Sequence, residues 1–74
     1  MTPETSLTLQ ILLDIDEPTI NEWFEIVKKA YPQMEGEFYP RFLGIAMGAI
    51  KSALEAGYPI EKWIADTRKN NGVE

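Results

Sequence analysis

The sequence predicts an all-α domain built as a small bundle of three or four short helices, and three observations carry that expectation. The longest apolar stretch, Pro40–Gly57, has helical periodicity and helical stop signals. A second stretch places Ile20, Trp23, Phe24, Val27, Ala30 and Tyr31 on one face and Asn21, Glu22, Glu25, Lys28 and Lys29 on the other. Prolines and glycines cut the chain into segments of helical length, and each tyrosine stands directly before a proline, at Tyr31, Tyr39 and Tyr58.

From the N-terminus, Thr2-Pro3-Glu4 reads as a helix start, with a capping hydroxyl, proline at the first position and an acid near the positive end of the dipole. The residues that follow are ambiguous. Leu7, Leu9, Ile11, Leu13 and Ile15 alternate with other residues as in a strand, and only Leu12 breaks the pattern. As a helix the same residues scatter around the circumference, so such a helix would be buried on more than one side. As a strand the segment would need an edge, which a second copy in a dimer would supply. The helix is the preferred reading.

Asp16 caps the next helix and Pro18 falls in its first turn, while Tyr31-Pro32 ends it. Glu25 and Lys29 have the spacing of an i,i+4 ion pair. Gln33–Tyr39 is a linker containing Gly36, Glu35 and Glu37, anchored by Met34 and Phe38. Pro40–Gly57 is the central helix. Pro59–Asn70 is the last, with Ile60, Trp63, Ile64 and Thr67 as its apolar stripe and Arg68 and Lys69 at its negative end. The expected core is Trp23, Phe24, Val27, Leu43, Met47, Ile50, Leu54, Trp63 and Ile64. Residues 1–74 form one domain, with residues 1–6 and 71–74 frayed.

Composition limits the chemistry. The chain has no cysteine and no histidine. This rules out thiolate metal sites, disulfides and the commonest general base, so no enzyme and no cofactor are expected. No stretch has the length of a membrane span, and a cytoplasmic setting is expected. The net charge is −5, which makes nucleic acid an unfavourable partner. The charge is uneven: residues 1–37 carry eight acids and two bases, and residues 38–74 carry four acids and five bases.

Four constellations follow. Gly44, Gly48, Ser52 and Ala56 recur every fourth residue of the central helix, forming a smooth ridge where another backbone can approach. With Arg41, Lys51 and Glu55 this ridge is the expected interaction face, for a helix of the same chain, a second copy or another protein. Asp14, Asp16, Glu17, Glu22 and Glu25 form an acidic face suited to a basic partner, as in an inhibitor that occupies another protein's nucleic-acid groove. Asp14–Glu25 also has acids at the first, third and twelfth positions of a calcium loop, but Pro18 and Thr19 stand where a ligand and a glycine are needed. Residues 53–69 have the Ala53–Gly57 spacing of a helix-turn-helix, with Lys62, Arg68 and Lys69 as DNA contacts, which is the alternative reading. The preferred function is a small acidic protein–protein interaction module, self-associating or acting as an adaptor or inhibitor.

Overall fold

The computed structural model describes residues 1–34 and 38–72. It is a bundle of four helices: α1 (Pro3–Leu13), α2 (Glu17–Ala30), α3 (Pro40–Glu55) and α4 (Ile60–Asn70), with a single 3₁₀ turn at Pro32–Met34. Among the described residues there is no strand. The linker residues Glu35, Gly36 and Glu37, and Val73 and Glu74 at the terminus, lie outside the described residues.

Local chemistry sets the boundaries. The Thr2 hydroxyl accepts from the Thr5 amide at 3.1 Å and starts α1, so residues 3–6, expected to be frayed, are helical and Ser6 is buried. The segment that alternates like a strand is therefore helix through Leu13. α1 ends on Asp14, whose φ of 55° makes it the one non-glycine residue in the left-handed region among the described residues. The Ile15 amide reaches back to the Gln10 carbonyl at 3.1 Å and closes this end.

Asp16 caps α2 by accepting from the Thr19 amide at 3.1 Å and from its hydroxyl. These two bonds hold its carboxyl below the usual carboxylate range. α3 stops at Glu55. Gly57 then adopts φ 76°, with its amide on the Leu54 carbonyl at 3.1 Å and the Tyr58 amide on Ala53 at 2.8 Å. That pair of bonds is a Schellman closure, which glycine permits without side-chain strain.

α2 and α3 form the central pair and touch every other helix, whereas α1 and α4 flank them and do not touch each other. The core is Leu9, Ile20, Trp23, Val27, Leu43, Ala46, Met47 and Ile50. Five of the expected core residues are buried there. Phe24 and Trp63 pack against the cluster half-buried, and Ile64 is also half-buried. Leu54 departs from the expectation: it is 45% exposed, because it lies in the last turn of α3, beyond the cluster. Phe38 and Met34 were expected to anchor the linker. Phe38 does, stacking edge-on to Phe24 at 5.6 Å and lying 6.0 Å from Phe42, which in turn meets Tyr31 edge-on at 4.9 Å.

Candidate protein-interaction surface

The expected ridge on α3 divides along its length. At Gly44 it is an internal crossing. A Cβ there would lie 3.5 Å from Leu12 Cδ2 and 3.8 Å from Leu9 Cδ2, so α1 packs on this position. Lys51 also serves the crossing, its ammonium donating to the Leu13 carbonyl at 2.7 Å and so satisfying one of the free carbonyls at the end of α1. At Gly48 the ridge is open: beyond its chain neighbours and the backbone of its own helix, no atom of the described residues lies within 4 Å of the Cβ position. Arg41, Ser52 and Glu55 are exposed beside it.

The outer sides of α1 and α3 carry exposed apolar residues that the sequence did not single out. Leu7, Ile11 and Leu12 of α1 and Ile45 of α3 are 58%, 74%, 67% and 69% exposed. Leu12 leans over Gly44, and Ile45 adjoins Gly44 in the chain, so the two flank the ridge. Together the four side chains present on the order of 500 Å² of apolar area on a molecule whose surface is 4915 Å². The signal was present in the scatter of leucines around α1. One side of that helix buries Leu9 and half-buries Leu13, and the opposite side carries Leu7 and Ile11 in solvent. The expectation of burial on more than one side is not met within the subunit.

The acidic residues do separate jobs. Asp16 caps α2, Asp14 closes α1, and Glu25 pairs with Lys28 at 2.7 Å rather than with Lys29 as the spacing suggested. The Lys28 ammonium is held on this side by the Phe24 ring, whose centroid lies 5.1 Å away. Glu17 and Glu22 are exposed. Among the described residues no three acids gather into a cation site.

The bases of α4 are likewise partly engaged. Lys62 lies 3.6 Å from Asp66 and 5.7 Å from the Tyr58 ring centroid, while Tyr58 donates to Asp66. The tyrosine bond, with the nearby ammonium, lowers the Asp66 carboxyl, and in return the Tyr58 hydroxyl and Lys62 are raised. Arg68 donates to the Lys29 carbonyl at 2.9 Å, tying α4 to the end of α2. Lys69 is exposed.

Among the described residues no helix is long and apolar enough to cross a membrane. No family model matches the chain, and neither a curated protein nor a solved structure is significantly similar to it.

Proposed function

We propose that the chain is a small acidic protein–protein interaction module whose binding face is the outer surface of α1 and α3. The single observation behind this reading is the exposure of Leu7, Ile11 and Leu12 on α1 and of Ile45 on α3. α1 carries apolar side chains on two sides, and the subunit covers only the side with Leu9 and Leu13. The combined exposure of the four residues is short of the roughly 800 Å² per partner that a standard interface buries, so the polar residues Arg41, Ser52 and Glu55 must also take part. The partner is a second copy or another protein, such as the target of an adaptor or inhibitor.

The acidic face has a weaker claim, since two of its five carboxylates are already engaged, Asp16 by Thr19 and Glu25 by Lys28. The helix-turn-helix reading is weaker again. Of its three proposed contacts, Arg68 is committed to a backbone carbonyl and Lys62 to Asp66.

Replacing Ile11 and Ile45 with glutamate tests the face. Both side chains are exposed, so the melting midpoint in dilute solution should hold, while association measured by light scattering or by capture of a partner from host extract should be lost. Association that persists unchanged in the double variant would refute the assignment.

A further inference from the structure

We infer that the occupant of this face is a second copy of the chain, packed with its α3 antiparallel to the first about a two-fold axis at Gly48. The inference rests on the interaction reading above and adds the partner and its register.

Charge placement on α3 carries the argument. A helix favours acids in its first turn and bases in its last. α2 follows this rule with Glu17 at its start and Lys28 and Lys29 at its end, and α4 follows it with Glu61 at its start and Arg68 and Lys69 at its end. α3 reverses it. Its first turn holds Arg41 and no acid, and its last turn holds Glu55 and no base. Both residues are exposed, and among the described residues neither has an ion-pair partner. Within one subunit each charge opposes the dipole of its own helix.

An antiparallel copy removes both conflicts. Gly48 is the midpoint of Arg41 and Glu55 in the chain, two helical turns from each. A two-fold axis through Gly48 therefore sets Arg41 of one copy opposite Glu55 of the other, twice. Each arginine then lies beside the negative end of its neighbour's helix and each glutamate beside a positive end. The same axis sets Gly48 opposite Gly48, while Gly44, already covered by Leu12 and Leu9 of α1, lies outside the contact and bounds it. No described residue of the subunit occupies the space at Gly48, so two backbones can approach closely there, at the roughly 20° crossing that keeps the helix ends within side-chain reach. Ile45 supplies apolar contact beside the crossing, and Leu12, seated on Gly44, borders it. The surface is thus self-complementary in charge as well as in shape, which is what an isologous dimer demands.

The experiment is sedimentation equilibrium on the full chain and on Arg41→Glu, Glu55→Arg and the double exchange, at low salt. The wild-type chain should dimerise. Each single reversal turns both inter-subunit pairs repulsive and should weaken the dimer about tenfold, and the double exchange should recover most of the loss. In dilute solution, where only subunits are present, neither single variant should melt lower than wild type, because each now agrees with its own helix dipole. That opposition of sign separates a lost interface from a damaged fold. A wild-type chain that stays monomeric at millimolar concentration overturns the inference, as does a dimer indifferent to the exchange. If the charge exchange is silent while Ile11→Glu with Ile45→Glu abolishes the dimer, the face is correct and the two-fold register is wrong. If the glutamate pair also leaves every association intact, the face itself is wrong.

Discussion

Replacing Gly48 with alanine separates what the subunit needs from what its surface does. A glycine inside a helix costs about 1 kcal/mol relative to alanine, because the unfolded chain loses more freedom on ordering it. Sterics decide whether that gain is realised. The added Cβ would meet no atom of the described residues within 4 Å, so the substitution finds no opposing contact inside the subunit. The dilute protein should gain close to the full 1 kcal/mol, which for a domain of this size raises the melting midpoint by roughly 4–8 °C. The assay is thermal unfolding followed by circular dichroism over a hundredfold range of concentration. A self-associating chain melts higher as concentration rises. For Gly48→Ala that dependence should flatten, since the added methyl stands at the crossing point. Gly48→Leu should abolish it and leave helicity intact. A midpoint for Gly48→Ala at or below wild type at the lowest concentration would show that the space beside Gly48 is filled within the subunit, and the reasoning would fail.

Three further sets of measurements test the rest of the scaffold. Asp14→Gly should stabilise the chain by about 1 kcal/mol in urea titration, by relieving a left-handed φ of 55° and removing an acid from the negative end of α1; Asp14→Ala, which keeps the strained backbone, should gain less. Met47→Ala empties a position with no exposed surface and should cost about 2–5 kcal/mol, whereas Leu54→Ala, at a position 45% exposed, should cost well under half as much by the same titration. Acid should weaken the fold below about pH 4. The Asp16 and Asp66 carboxyls are lowered by bonds made only in the folded state, so their contribution is complete above the unfolded value of 3.8 and is lost as pH falls through the depressed folded values. Asp16→Asn, which retains a capping side chain, should remove its share of that acid dependence in a pH series of melting midpoints.

Where caps and periodicity agreed, the fold could be read from the residues. Asp16 with Pro18, Pro40, and Gly57 before Tyr58-Pro59 marked helix ends that the structure places within two residues. The amphipathic stripe of α2 gave its buried residues directly, because charged residues fill its opposite face. α3 was harder. Apolar residues cover most of its circumference, so periodicity alone could not separate Met47, fully buried, from Ile45, 69% exposed. Leu54 was misplaced for a related reason: its position on the wheel is right, but the last turn of α3 runs past the end of the core. The ridge was legible as a ridge, yet the sequence could not tell that α1 covers Gly44 and Lys51 and leaves Gly48 free, since that depends on where α1 crosses.

α1 carries the functional argument because it was the least legible element. Its residues fit a strand pattern better than a single helical face, and the structure explains why without a strand. A helix that packs on one side shows one apolar stripe, as α2 does. A helix serving two surfaces has two, and their superposition erases the helical period. Leu9 and Leu13 belong to the stripe against α2 and α3, and Leu7 and Ile11 belong to a stripe that no described residue of the subunit covers. Folding of the lone chain gives no reason for the second stripe, which lowers solubility and adds nothing to the core. A partner surface that buries it does give one, and the ambiguity of Leu7–Ile15 in the sequence then reads as the imprint of an interface.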